Sequence, residues 1–368
     1  VPAPSARLQE IDWLRGLVMV LMTIDHASAA LNPGRLMTDS PFMYTVGTAL
    51  PVDQFMTRWI SHLCAPTFVF LAGAALALSV ARRVAAGDPA RSIDRAIVTR
   101  GGILLTLEVT WMSLAFTPGR ILLQVIYALG GGMICMALLR RLSPRVLAVA
   151  GLALIVGGEA LAGLALHLSG GAAPAVPAAL LVTGGFFEWI LVAYPLIPWL
   201  AIMMVGWAWG ATLATRPPRP RNLVLAGLAS LVVFAVVRGV NGYGNMRLLR
   251  EDGSLVQWLH VSKYPPSLSF TALELGIMAI LLAAFTRLRL RGTATAPALQ
   301  VLEVLGSAAL FYYLLHVHLL EVSALLLGKP GLGATYLAAA VTLLVLYPLC
   351  SVYRRYKAAH PHAWTRYI

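Results

Sequence analysis

Ten stretches of nearly unbroken apolar residues divide the chain, at 13–31, 55–81, 97–116, 121–139, 146–168, 186–213, 222–240, 266–286, 299–326 and 334–353. A hydrocarbon core about 30 Å thick is crossed by about 20 residues of helix. Each run therefore predicts one membrane-spanning helix, and the fold class is an all-α polytopic bundle of about ten transmembrane helices, a single domain over residues 1–368. The run at 13–31 is long for a signal-peptide core and has no small-x-small cleavage site after it, so it reads as a retained first span.

The polar connections carry the orientation. The segments at 82–100, 140–145, 216–221 and 287–291, together with both chain ends, hold 20 of the 28 Lys and Arg residues. Arg35, Arg58, Arg120, Arg238, Arg247, Arg250, Lys263 and Lys329 fall on the other side. The positive-inside rule then places both termini in the cytoplasm. The outer loops at 32–54, 169–185 and 241–265 are longer and carry Gly, Pro, Asn and aromatic residues, a composition suited to binding.

Composition narrows the class. The chain is 59% hydrophobic and only 12% charged, with a mean hydropathy of +0.78, where a soluble domain carries about 25% charged residues. A cytosolic enzyme, a secreted disulfide scaffold and a disordered chain are excluded. The net charge of +13 sits in short clusters between apolar runs, so it reads as topology and predicts membrane lipids, not nucleic acid, as the partner. Cys64, Cys135 and Cys350 lie inside apolar runs and form no metal or disulfide spacing.

An ionisable group within a span costs about 2.5–3.5 kcal/mol on insertion scales, so each needs a partner or a wet cavity. The groups are Asp25 and His26 in the first span, His62 in the second, Glu108, Glu159 and Glu274 in the third, fifth and eighth, and His316, His318 and Glu321 in the ninth. At about 1.5 Å per residue, His26, His62 and His316 fall at similar depth in the outer half. Histidine can serve as base, acid or nucleophile near neutrality. Asp25, His26 and His62 are thus expected to converge on one water-accessible cavity, with Asp25 meeting His62 or Lys263. Successive helix positions diverge by about 100°, so His316 and His318 face nearly opposite ways. Asp12 and Arg15 read as a helix-end ion pair, Gly130 to Gly132 as a close-packing site, and Arg100 and Gln124 as linings of a central path.

Residues 7–26, with Asp12, Arg15, Gly16, Asp25 and His26, resemble the opening motif of the heparan-α-glucosaminide N-acetyltransferase-like transmembrane family. Residues 65–79, with Pro66, Phe68, Phe70, Gly73 and Ser79, are similar to its second-span signature. Residues 123–130, 263–268 and 311–316 resemble later motifs of its bacterial branch. The resemblance implies an acyltransferase of the bacterial cytoplasmic membrane that takes an acetyl or other acyl group from cytoplasmic acyl-CoA. The acceptor, a glycan or small molecule, would be acylated on N or O at the far side. It implies His26 as the chief catalytic residue. Depth and side of entry add Asp25 and His62 as catalytic candidates, Lys263, Tyr264, His316 and His318 as acceptor-binding, and Arg15, Arg100 and Gln124 as donor-binding. No metal is expected, and a homodimer is left open. Two other readings compete. A proton-coupled transporter would use Asp25, His26 and the intramembrane glutamates as a relay, though the last five spans do not echo the first five. A structural subunit would use the same polar groups only to hold helices together.

Overall fold

The computed structural model describes residues 8–171, 173–360 and 363. Among them nine helical segments are long and apolar enough to cross a membrane. A tenth apolar helix is shorter. The helices are α1 (Gln9–Leu31), α2 (Val52–Trp59), α3 (Cys64–Ala85), α4 (Ala90–Leu107), α5 (Ser113–Phe116), α6 (Val125–Leu139), α7 (Pro144–Leu168), α8 (Val176–Ala178), α9 (Leu196–Leu213), α10 (Pro220–Val240), α11 (Leu255–Leu259), α12 (Leu268–Leu290), α13 (Pro297–Ser307), α14 (Ala309–Leu327) and α15 (Leu332–Ala359). The all-α polytopic class holds.

The runs at 55–81 and 97–116 stay continuous spans through a turn at 60–63 and a wide turn at 108–112, but three others of the ten apolar runs are not single helices. The run at 186–213 begins as strand: β2 (Gly185–Phe186) and β3 (Ile190–Val192) precede α9, which starts only after Pro195. The run at 121–139 likewise opens with β1 (Ile121–Leu123), which pairs in parallel with β3, while β2 pairs with it antiparallel. Apolar character reports burial, and a short buried segment satisfies its backbone groups equally well in a ladder. The third case is 299–326, which breaks at Ala308 between α13 and α14.

A close helix crossing lies beside that break. A methyl group on Gly16 of α1 would lie 2.0 Å from the carbonyl oxygen of Leu302, and one on Gly306 would lie 1.9 Å from that of Asp12. α1 and α13 therefore touch backbone to backbone. Between α3 and α9 the same device recurs: methyls on Gly73 and Gly206 would each fall 2.1 Å from a carbonyl of the other helix. Without a hydrophobic drive between helices in lipid, such close approach is how dispersion contacts accumulate. α1 is the hub, with Trp13, Leu14, Val18 and Met19 fully buried. α7 and α10 are the most exposed of the long helices, as lipid-facing helices should be.

The helix ends sort into two faces. On the basic face Arg140 meets Asp94 at 2.7 Å, Arg289 meets Glu10 at 2.8 Å and Arg354 meets Glu303 at 2.9 Å. The start of α1 and the end of α15 lie together there. On the opposite face the loop at 32–51 packs against the loop at 241–267: the Lys263 amide donates to the Asp39 carbonyl at 2.8 Å and the Tyr44 hydroxyl donates to Glu251.

Candidate active site

Toward the end of α1, near the second face, Asp25 accepts from two arginines. Arg35 Nη1 reaches its Oδ1 at 2.7 Å and its carbonyl oxygen at 2.5 Å, and Arg58 Nη1 reaches both carboxylate oxygens at 2.9 and 2.8 Å. Arg58 Nη2 then donates to Asp39 Oδ2 at 2.6 Å and to the Tyr264 hydroxyl at 3.2 Å. His62 Nε2 approaches the same Asp39 oxygen at 3.2 Å. Burial works to raise the Asp39 pKa, but Arg58 and His62 overcome it and hold the carboxyl well below the usual carboxylate range. Burial would likewise raise the Tyr264 hydroxyl; the Lys263 and Arg58 cations pull it below the ordinary phenol value instead.

The loop that brings Lys263 and Tyr264 here is pinned by one buried guanidinium. Arg238 of α10 donates to the carbonyls of His260, Gln257, Leu248 and Trp258 at 2.5, 2.6, 2.7 and 3.2 Å, and to Asn245 Oδ1 at 3.1 Å. Glu159 of α7, read from the sequence as a relay group, accepts from the amides of Gly244 and Met246 at 2.6 and 2.9 Å in the same loop.

One residue beyond Asp25, His26 Nδ1 lies 2.7 Å from His316 Nε2 on α14. His316 is fully buried and turns its own Nδ1 toward the carbonyls of Tyr313 and Tyr312 at 2.9 and 3.1 Å. A carbonyl only accepts, so His316 carries its proton on Nδ1 and its Nε2 accepts. His26 must then be the donor through Nδ1. Its Nε2 is left with a free lone pair, the protonation state a general base requires. Edge contacts with Phe116 and Tyr313, at centroid distances of 5.3 and 6.0 Å, fix the ring's tilt.

His26 opens on a cavity of about 240 Å³, whose wall also includes Asp25, Arg35, Arg58, Lys263 and Tyr264. The small sheet forms another part of this wall through Leu191 and Val192. A second cavity, of about 1030 Å³, opens among the groups of the basic face and is lined by Arg15, Arg83, Arg95, Arg100 and Lys357. Phe68, Val125 and Tyr313 line both. The two chambers thus share a partition, with His26 packed against Tyr313 on one side of it.

The sequence-predicted residues divide as follows. Asp25, His26, Lys263 and Tyr264 line the small cavity, and His316 stands directly behind His26. His62 does not line it; it joins Asp25 only through Asp39 and Arg58, so the expected three-way convergence is indirect. Asp25 meets Arg35 and Arg58, in place of His62 or Lys263. His318 faces away, stacked on Trp111 at 4.1 Å with Nδ1 on the Leu314 carbonyl at 3.1 Å, which follows from its two-residue offset from His316. Arg15 and Arg100 line the large cavity, whereas Gln124 lines the small one and gives its amide to the buried Glu108 carboxylate. The residues that sequence reasoning passed over are Arg35, Arg58 and Asp39. Arg58 lies inside the run at 55–81, where an arginine needs a counter-charge, a signal that sorting the basic residues by side alone does not use.

The chain is similar to the family model described as heparan-alpha-glucosaminide N-acetyltransferase, catalytic, over residues 7–238. No curated protein matches it significantly. The matched stretch includes Asp25, His26, Asp39, Arg58 and the vestibule residues Arg15, Arg83, Arg95 and Arg100. Lys263, Tyr264, Tyr313 and His316 lie beyond its end.

Proposed function

Because the chain belongs to the heparan-α-glucosaminide N-acetyltransferase family, a family of membrane acetyltransferases, we propose that it moves an acetyl group from acetyl-CoA, bound in the large basic cavity, to an acceptor in the small one. The reading rests on one observation: His26, with Nε2 free as a base, lines a chamber that shares its partition with the arginine-lined vestibule. Arginine and lysine suit the phosphates of coenzyme A, and Arg83, Arg95 and Arg100 would hold them at the basic, cytoplasmic face. The thioester end would reach the partition at Phe68, Val125 and Tyr313.

In the proposed step an acceptor hydroxyl or amine loses its proton to His26 Nε2 as its oxygen or nitrogen attacks the thioester carbonyl carbon. The new C–O or C–N bond forms, the C–S bond breaks, and the departing thiolate takes the proton back from the imidazolium. His316 accepts from Nδ1–H throughout and so holds the ring in one tautomer. Asp25 stabilises the imidazolium through space while remaining paired with its two arginines. That pairing disfavours the proton-relay alternative, since a carboxylate held by two guanidiniums is a poor proton carrier.

Sealed vesicles of known orientation test the sidedness. Acetyl-CoA labelled in the acetyl group and supplied only at the basic face should yield labelled acceptor at the opposite face. Transfer only to acceptors on the donor's own face would overturn the two-chamber reading.

A further inference from the structure

Among the charged groups around the small cavity, Arg35, Arg58, Asp25 and Asp39 close on one another through the ion pairs at 2.6–2.8 Å. Lys263 stands outside this network. It is only 3% exposed, lines the cavity, and among the described residues forms no ion pair, in contrast to Arg35 and Arg58. Its ammonium lies over the face of the Tyr264 ring, 5.3 Å from the centroid. Asp25, Asp39 and Glu274 act on it through space but do not touch it. A buried ammonium without an acceptor is costly to maintain. The chain nevertheless fixes it with care: the Lys263 amide is tied to the Asp39 carbonyl at 2.8 Å, and the loop behind it is clamped by Arg238.

We propose that Lys263 is an acceptor-selecting residue that binds an anionic group on the acceptor, so that the molecule acylated carries a carboxylate, phosphate or sulfate beside its nucleophilic hydroxyl or amine. This deepens the transferase reading and rests on it for the identity of the second substrate. Three cations, Arg35, Arg58 and Lys263, line the cavity beside a single carboxylate, Asp25, which Arg35 and Arg58 already hold, so an anionic group on the acceptor answers the ammonium left over. A chamber of about 240 Å³ lies just under the size range typical of drug-sized ligands, which suits a unit of about one sugar ring with its charged substituent. With the anion on Lys263, the remaining polar groups of the ring are left facing His26.

Binding to the purified full-length protein tests the inference without requiring the native acceptor. Glucose, glucuronate, glucose 6-phosphate and glucose 6-sulfate share one ring and differ in charge. At least one of the anionic sugars should bind wild-type protein ten-fold or more tighter than glucose, and the tightest identifies the anion. Lys263→Met, close in length but uncharged, should erase the preference, and Lys263→Arg should retain it. Retained binding of acetyl-CoA in the far chamber shows that the Lys263→Met protein is folded; if it is not, the Lys263→Arg and wild-type preferences decide. Equal binding of all four sugars, binding of none, or a preference that survives in a folded Lys263→Met protein overturns the inference. Failure of the transferase reading has a different signature, an intact anion preference in a protein whose acetyl transfer does not depend on His26.

Discussion

Replacing His316 by phenylalanine isolates what holds the His26 ring in its reactive form. Phenylalanine keeps the ring volume and the stacking on His26 and Tyr312, whose centroids lie 4.9 and 5.1 Å away, but removes the acceptor for His26 Nδ1–H. A buried N–H left without a partner costs about 1–3 kcal/mol. The His26 ring escapes that cost by shifting its proton to Nε2 or by rotating, and either move removes the base. At about 1.4 kcal/mol per factor of ten, the reactive form should fall by about 5- to 150-fold. Steady-state kinetics with acetyl-CoA as the varied substrate should therefore show kcat lowered by that factor and KM for acetyl-CoA unchanged. His316→Gln, which offers an amide oxygen, should recover part of the loss. A His316→Phe protein with wild-type kcat, or one altered only in KM, would refute the tautomer argument.

Arg58→Met should be among the most damaging single changes near the site, because it leaves Asp25 and Asp39 short of their shared counter-charge. Breaking a buried pair typically costs about 3–5 kcal/mol, to be read as a drop in the thermal midpoint in detergent. His260, at the Arg238 clamp, donates Nε2–H to the Thr38 carbonyl at 2.8 Å, while its buried Nδ1 has no hydrogen-bond partner among the described residues. Burial holds its pKa below the ordinary histidine value, aided by Arg238 and opposed by the Thr38 carbonyl. The unfolded chain therefore binds more protons below about pH 6.5. The stability contribution is fully present above that pH and is lost as pH falls toward the folded pKa, by at most about 1.4 kcal/mol per pH unit. Hydrogen-exchange protection factors across 241–263, corrected for the intrinsic pH dependence of amide exchange, should fall as pH is lowered from 7 to 5, and His260→Gln should flatten the dependence. Gly16→Ala should destabilise by about 1–3 kcal/mol, because the added methyl meets the Leu302 backbone and not a movable side chain; an unchanged thermal midpoint would contradict the crossing geometry.

The bundle was largely legible because membrane-length apolar runs have few interpretations. The small sheet was not, since Ile121–Leu123 and Ile190–Val192 look like helix continuations until Pro195 and the backbone pairing of two distant segments are known. His26 and Asp25 could be found from depth and resemblance, but their partners could not. The tie between His26 and His316 spans 290 positions, and nothing local announces it. Arg58 could have been found by asking which cation answers an aspartate buried in a span. The opposite error was to expect Asp25 and His62 to meet because they share a depth: depth fixes one coordinate, and the other two depend on helix rotation and on a loop residue, Asp39. His318 illustrates the same limit, being placed in the site by its neighbourhood although its helix position turns it onto Trp111.

The central claim is that His26 is the base for acetyl transfer between two adjoining chambers. Its most direct test is the transfer of labelled acetyl from acetyl-CoA to native membrane acceptors by wild-type and His26→Ala proteins, measured alongside acetyl-CoA binding. Removal of a positioned general base should lower turnover by about 10²–10⁴-fold while donor binding, which depends on the arginines of the other chamber, stays within experimental scatter of wild type. Wild-type turnover by a folded, donor-binding His26→Ala protein would contradict the account.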